Sequence, residues 1–172
     1  METVNTPPAL GYVQRLLGIL ADNDPIAVQS SLVDRIRELT DGRSRDAIHR
    51  PEAPGKWSVA AVVRHLADND LVHGYRMRKI IGGTMPTIDG YDENDWAREL
   101  RYLDASFDEA LADLDAVRSM NLRLLASLTP EQWQRSGLHN ERGEESVRRV
   151  VELIAAHDMV HIAQIARILA GA

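Results

Sequence analysis

The sequence predicts an all-α protein, a four-helix bundle with an extra helix or a helix break near its N-terminus. Apolar residues recur every three or four positions through most of the chain, the spacing of a helix face turned towards a core. No segment alternates apolar and polar residues over the length of a strand. Stretches rich in Pro and Gly separate long helical segments, and a bundle is the simplest architecture that buries one apolar face of each.

Each helix is predicted from its apolar spacing and from the residues at its ends. Asp24 and Pro25 form a typical helix start, because Asp caps free backbone N–H groups and Pro suits the first helical position. Ser58 is a natural N-cap for the next helix, and Gly82-Gly83 ends it. The predicted helices are residues 8–21, 25–40, 59–82, 93–128 and 145–170, with a capped turn at 129–133. The predicted loops are residues 41–57, 84–92 and 135–144.

Length and composition predict one cytoplasmic domain over residues 1–172, with a disordered lead-in at 1–7. No apolar run reaches the ~20 residues of a membrane span, and no basic-then-apolar leader is present, so no membrane partner is expected. The net charge of −6 and the dispersed arginines argue against binding to nucleic acid. Because the chain has no cysteine, a bound metal must be held by His, Asp, Glu or water.

The last predicted helix carries two histidines on its apolar face. His157 and His161 are four residues apart, so their imidazoles point the same way, one helical turn apart. Burying polar rings costs free energy unless each ring finds a partner. A metal ion held between helices is one such partner. Two core histidines satisfied by hydrogen bonds are the alternative.

The helix predicted at 59–82 also has polar residues within its apolar face. His65 lies two turns from the start of this helix. Three further polar residues follow on or beside the same face: Asn69, His73 and Arg76. If the two helices are neighbours, His65 can meet His157 and His161 in the core, where side chains from facing helices assemble metal sites.

Two motifs resemble a known family. The first is Pro54-Gly-Lys-Trp57 followed by His65-Leu-Ala-Asp68, and the second is Gly143-Glu-Glu-Ser-Val followed by His157-Asp-Met-Val-His161-Ile-Ala-Gln164. Their order and separation resemble the DinB-like, damage-inducible four-helix-bundle metalloproteins over residues 10–170. The resemblance implies that His65, His157 and His161 bind a metal, and that the protein forms a homodimer. Some members of this family transfer low-molecular-weight thiols such as mycothiol, bacillithiol or glutathione.

Several other residues are candidates for supporting roles. His73 is a possible fourth ligand or general base, with a hydrogen-bonded helix histidine as the alternative. Asp68 is a second candidate base. Arg76 and Asn69 are candidates for substrate binding. For Arg76, a structural ion pair with a carboxylate is an equally good interpretation. His49 and His139 lie in predicted loops and are expected at the surface, with a place at the mouth of the site as the alternative for His139. Trp57 and Trp133 at helix starts are expected to be packing anchors rather than substrate platforms. Asp158 is expected to support a ligand or to pair helices rather than to bind the metal.

Three neutral imidazoles leave a divalent ion with an open position, as in catalytic sites. Histidine suits Zn, Ni, Fe and Cu, so the identity of the metal stays open. The uncharged ligands favour an anionic fourth ligand, either thiolate or hydroxide. Thiolate predicts a transferase that uses a thiol cosubstrate on a small electrophile, which the family resemblance favours. Hydroxide predicts a hydrolase, with His73 or Asp68 as base. A metal-binding stress protein without turnover is the third hypothesis.

Overall fold

The computed structural model describes residues 8–171, and the lead-in predicted for residues 1–7 lies outside them. The long helices are α1 (Pro8–Leu20), α2 (Pro25–Thr40), α4 (Val59–Gly82), α6 (Phe107–Ala126) and α8 (Val147–Ala170). The short elements are α3 (Arg45–His49), α5 (Glu93–Glu99), a 3-10 turn (Tyr102–Asp104), α7 (Pro130–Gln134), β1 (Thr87–Ile88), β2 (Ser136–His139) and β3 (Gly143–Ser146).

Four of these helices form the predicted bundle. α4 packs against α6 and α8, and α2 packs against the same two helices, so α2 and α4 occupy opposite corners. α1 lies outside this square, against α8. Each fully buried Leu or Ile in the core stabilises the fold by roughly 1.5–3 kcal/mol. The Leu and Ile residues of this core that are at most 1% exposed are Leu32, Ile36, Leu66, Leu114 and Ile165.

Polar N-caps begin the helices where the sequence predicts them. Asp24 accepts a hydrogen bond from the N–H of Ile26 at 2.9 Å, which makes α1 and α2 two separate helices. Ser58 accepts from the N–H of Ala61 at 3.2 Å and starts α4. Thr129 begins α7 with a complete capping box. Each such cap contributes about 1 kcal/mol.

The continuous helix predicted for residues 93–128 is wrong. Arg101 has a left-handed backbone conformation with φ 54°, which an α-helix cannot continue through. A new helix then begins at Ser106, whose hydroxyl accepts from the N–H of Glu109 at 3.4 Å. The chain therefore turns back between α5 and α6. Leu100 and Leu103, assigned to the apolar face of the continuous helix, are exposed instead.

A small sheet occupies parts of the loops predicted for residues 84–92 and 135–144, and its last strand delays the start of the final helix from the predicted residue 145 to Val147. β2 and β3 form an antiparallel hairpin, and β1 pairs with β2 in parallel. Gly143 has φ +81°, which favours glycine. Strands of two to four residues are too short to show alternation in a sequence. For the same reason the five-residue helix α3 was missed within the predicted loop 41–57.

α8 is a core helix. By length and composition alone it could cross a membrane, but half of its most apolar stretch is buried inside the protein. Its buried side chains pack against α1, α2 and α4. The helix begins at Ser146, whose hydroxyl accepts from the N–H of Arg149 at 3.1 Å.

A buried ion network joins all four helices of the bundle. Arg118 of α6 donates to Asp70 of α4 at 2.6 Å and to both carboxylate oxygens of Asp158 of α8, at 2.6 and 3.0 Å. It also donates to the carbonyl oxygen of Gln29 in α2 at 3.2 Å. Burial raises the pKa of Asp158 to about 6, against the opposing effect of Arg118. Asp158 thus has the helix-pairing role considered for it.

Candidate metal centre

α4 and α8 bring the three predicted histidines together. One ring nitrogen from each of His65, His157 and His161 lies within 4.8 Å of the others. Nε2 of His157 is 3.1 Å from Nε2 of His65 and 3.1 Å from Nε2 of His161. Nitrogens bound to one tetrahedral ion at 2.0–2.1 Å would be about 3.3 Å apart. The cluster therefore has the spacing of a three-histidine metal site.

Hydrogen bonds alone cannot satisfy these three nitrogens. Nδ1 of His161 donates to Oε1 of Gln164 at 2.7 Å, so Nε2 of His161 in the neutral ring carries only a lone pair. Nε2 of His157 can donate a proton to one neighbour or accept from one. In either case one neighbouring nitrogen is left without a matching partner. A divalent cation at the centre satisfies all three lone pairs, so the donor set fits a metal better than it fits a hydrogen-bonded trio.

The three imidazoles are held in the neutral form that binds metals. Burial and the nearby His161 lower the pKa of His65 to about 3. Burial also lowers the pKa of His157 well below its ordinary value. It lowers the pKa of His161 as well. Neutral rings keep a free lone pair on one nitrogen, and metal binding then displaces no proton at neutral pH.

Outer contacts orient the rings. The amide nitrogen of Asn69 lies 3.5 Å from Nδ1 of His157. The side-chain amide of Asn69 can be turned by 180°, which places its oxygen where the nitrogen now lies. When Nε2 of His157 binds a metal, Nδ1 carries the proton, so the Asn69 oxygen must face Nδ1 to accept it. The ring of Trp57 packs 4.9 Å from that of His65, consistent with its predicted role as a packing anchor. Nδ1 of His65 is buried without a hydrogen-bond partner among residues 8–171.

Glu93 is a site residue that sequence reasoning missed. Its Oε2 atom lies 4.0 Å from Nε2 of His65, and its side chain is 55% exposed. The turn after α5 folds this helix back against α4 and so brings Glu93 to the cluster. The signal that could have revealed it is the pair Ser106 and Glu109, which has the spacing of a capping box and marks a helix start inside the predicted helix.

A cavity of about 340 Å³ opens beside the cluster. His157 lines one end, and three of the four candidate residues on α4 line its wall: Asn69, His73 and Arg76. Tyr91 lines the cavity from the loop before α5, and burial raises the pKa of this tyrosine to about 12. The fourth candidate, Asp68, is not among the lining residues. Its carboxylate instead accepts from Arg64 at 2.8 Å.

His73 and Arg76 contact each other within the cavity wall. Nδ1 of His73 donates to the carbonyl oxygen of Asn69 at 2.9 Å, so its Nε2 atom is an acceptor and faces Nη1 of Arg76 at 3.4 Å. Burial, with the charge of Arg76, lowers the pKa of His73 to about 3. Both ring nitrogens are therefore engaged outside the three-histidine cluster. The candidate roles of His73 as ligand or base stay predictions without geometric support.

The remaining histidines lie away from the cluster. His49 is the last residue of α3 and is partly exposed. The expectation of a surface position for His139 is wrong: it lies in β2 and is 1% exposed. Its Nδ1 atom accepts from the N–H of Glu141 at 3.2 Å. Because the hairpin was predicted as a loop, its burial could not be anticipated.

Lowering the pH from 7 to 5 is expected to destabilise the metal-free protein. Unfolded histidines take up protons near pH 6.5, whereas folded His65 and His73 do so only near pH 3. The unfolded state therefore binds more protons at these two histidines, which outweighs the one proton that folded Asp158 takes up near pH 6, and the free energy of unfolding falls as the pH falls. The loss is roughly 2 kcal/mol for each of these two histidines at pH 5.

Urea titrations at pH 7 and pH 5 measure this loss. His65→Asn should reduce the difference in unfolding free energy between the two pH values, and His49→Asn serves as the control. An equal difference in the wild type and in His65→Asn would contradict the buried, neutral state of His65.

The fold and the site define a helical-bundle protein with three histidines clustered at the spacing of a metal site. Residues 31–165 match the sequence profile of the DinB superfamily, and the chain belongs to that superfamily. This confirms the family resemblance seen in the two motifs.

Two bacterial proteins illustrate the similarity along the chain. A protein of Oceanobacillus iheyensis is 28% identical over 141 residues, which cover 82% of this chain and 77% of that protein. A protein of Bacillus mycoides is 32% identical over 115 residues, which cover 67% of this chain and 66% of that protein. Both carry the name "putative metal-dependent hydrolase".

A solved structure shares the fold. YfiT from Bacillus subtilis is 25% identical, with a TM-score of 0.77 over 84% of this chain and 83% of YfiT. It is described as "a probable metal-dependent hydrolase with an unusual four-helix bundle topology". The likeness confirms the predicted four-helix bundle, and the relatives together with the histidine cluster support a divalent metal.

Proposed function

We propose that the protein is a metal-dependent hydrolase that cleaves a small ester or amide. The observation that carries this proposal is the convergence of three Nε2 atoms beside a carboxylate, with a cavity on the adjoining side. The names of the relatives support hydrolysis. They lend no support to the thiol transfer that the family resemblance favoured, although the same donor set would accept a thiolate.

The chain supplies the ligands for this chemistry. His65, His157 and His161 would hold the ion through Nε2, because those are the atoms that face one another. Held by these three neutral imidazoles, a divalent ion would supply a Lewis acid that makes water acidic near neutral pH and polarises a substrate carbonyl. Gln164 and Asn69 keep the rings of His161 and His157 in the required orientation.

Glu93 is the general base in this proposal. Its carboxylate is the acidic group beside His65, and its partial exposure leaves an oxygen free to accept a proton from an attacking water. After attack, the same carboxyl group can return the proton to the leaving group. Asp68, the base considered from the sequence, is held by Arg64 and is replaced in this role by Glu93.

Metal removal and reloading test the proposal. Protein stripped with a chelator and reloaded separately with Zn, Ni or Fe is assayed on nitrophenyl esters and anilides. We expect hydrolysis to disappear on stripping and to return with one of the metals, and His161→Ala to stay inactive. The control is His49→Asn, which should keep the wild-type rate.

The competing functions give different results in the same experiment. Conjugation of mycothiol, bacillithiol or glutathione to an electrophile by the reloaded protein, without ester or amide hydrolysis, would replace the hydrolase by a thiol transferase. Full metal loading with turnover of neither substrate class would favour the metal-binding stress protein.

A further inference from the structure

We propose that the cavity binds a carboxylate at Arg76, so that the substrate is a small organic monoanion whose charged group is held apart from the histidine cluster. The identification of this ligand as a substrate rests on the proposed hydrolase function. The carboxylate site itself rests on the surroundings of Arg76 alone.

Arg76 is a buried cation with only neutral partners. It is 4% exposed, and it forms no ion pair with a carboxylate among residues 8–171. Its two hydrogen bonds go to Nε2 of His73 at 3.4 Å and to the carbonyl oxygen of Asp89 at 2.5 Å. A buried charge is costly unless it is paired, so an anionic ligand that pairs with Arg76 would offset that cost.

Arg118 shows how this protein treats a buried arginine with a structural role. It is 3% exposed, close to the value for Arg76, yet it contacts two carboxylates through three hydrogen bonds. Arg118 faces the bundle core, whereas Arg76 lines the cavity. The contrast indicates that the counter-ion of Arg76 arrives from outside the chain.

The guanidinium has donors left for such an anion. Its contacts with His73 and Asp89 use one N–H on each terminal nitrogen, and a guanidinium has five. A carboxylate can accept two parallel N–H bonds from it. The ring of Tyr91 lies 5.7 Å from the guanidinium carbon, and its hydroxyl lies 3.5 Å from the side-chain amide of Asn69. Tyr91 therefore spans the cavity from the Arg76 end to the end near His157.

The charges around the cavity favour a monoanion. The second arginine in its lining, Arg142, is paired with Glu145 through two bonds of 2.6 and 2.9 Å. Two carboxylates, Glu93 and Glu141, also line the cavity. The two glutamates repel a phosphate dianion about twice as strongly as a carboxylate monoanion, so a lining with one unpaired arginine and two carboxylates suits the carboxylate better.

The positions along α4 limit the size of the ligand. Arg76 lies seven residues beyond Asn69, about 10 Å along the helix axis. Helical side chains lean towards the N-terminus, which brings the guanidinium closer to Asn69 and the cluster. The cavity of about 340 Å³ is at the small end of ligand pockets. A short acyl chain would therefore link the carboxylate to the scissile carbonyl.

Direct binding measurements test the carboxylate site. Hexanoate, hexanamide and pentyl phosphate are titrated calorimetrically into the full-length metal-loaded protein, in the wild type, Arg76→Gln and Arg76→Lys. We expect hexanoate to bind the wild type at least 10-fold more tightly than hexanamide or pentyl phosphate does. Arg76→Gln should remove this preference, and Arg76→Lys should keep part of it. If hexanoate bound only to the metal, its affinity for Arg76→Gln would equal its affinity for the wild type.

The matched control is Arg35→Gln, an exposed arginine on α2 that should leave hexanoate binding unchanged. Equal binding of hexanoate and hexanamide, or equal hexanoate affinity in wild type and Arg76→Gln, would overturn the proposal. Tighter binding of pentyl phosphate than of hexanoate would overturn the proposed preference for a monoanion. Arg76-dependent hexanoate binding without hydrolysis of any ester would leave the carboxylate site intact and refute the hydrolase. Hydrolysis of neutral and anionic esters at equal kcat/KM would support the hydrolase and refute the carboxylate site.

Discussion

Replacing Glu93 by glutamine is expected to lower kcat by about 10²–10⁴-fold, the usual contribution of a general base. Glutamine keeps the size of the side chain but cannot take a proton. Metal content should stay at the wild-type level, because the carboxylate oxygen is 4.0 Å from Nε2 of His65, outside the cluster of three nitrogens. Steady-state kinetics and elemental analysis of the same preparation measure both quantities.

The control for Glu93→Gln is Glu99→Gln, the same change at the other end of α5. Glu99 is 71% exposed and pairs with Arg98, so its replacement should leave kcat unchanged. Wild-type kcat in Glu93→Gln would show that the base lies elsewhere. A loss of metal in that variant would make Glu93 a ligand instead of a base.

Replacing Arg118 by alanine is expected to lower the free energy of unfolding by about 3–5 kcal/mol. The change leaves the carboxylates of Asp70 and Asp158 buried without their cation. Because Asp158 directly follows His157, the cluster should lose metal affinity as well. Urea denaturation monitored by circular dichroism gives the loss of stability.

Two further variants isolate the cause of that loss. Arg35→Ala removes an exposed arginine paired with Glu38, and should change the unfolding free energy by less than about 1 kcal/mol. Arg118→Met combined with Asp70→Asn and Asp158→Asn removes all three charges and should recover part of the stability. Equal stability of Arg118→Ala and wild type would contradict the buried ion network.

The histidine cluster was predictable because its signal is local. Two histidines at a spacing of four interrupt an apolar face, and that interruption is visible without knowing the fold. The third histidine needed only the assumption that α4 and α8 are neighbours. The bundle followed from periodicity in the same way, since each long helix carries its own apolar face.

Contacts between distant segments were not predictable. Glu93 reaches His65 only because Arg101 breaks the helix and Ser106 starts another, and an uninterrupted helix would have carried Glu93 away from the cluster. Arg118 was one of many dispersed arginines in the sequence, and its two carboxylate partners lie 48 and 40 residues away. The type of reaction was also open, because three neutral imidazoles favour thiolate and hydroxide alike.

Metal content is the most direct test of the three-histidine centre. Elemental analysis is made on the purified wild type and on His65→Ala, His157→Ala and His161→Ala, with His49→Ala as the control outside the cluster. We expect about one divalent ion per chain in the wild type and the control, and its loss in each of the three variants. Equal metal content in all five proteins, or no metal in the wild type even after reconstitution, would contradict the metal centre and the hydrolase function built on it.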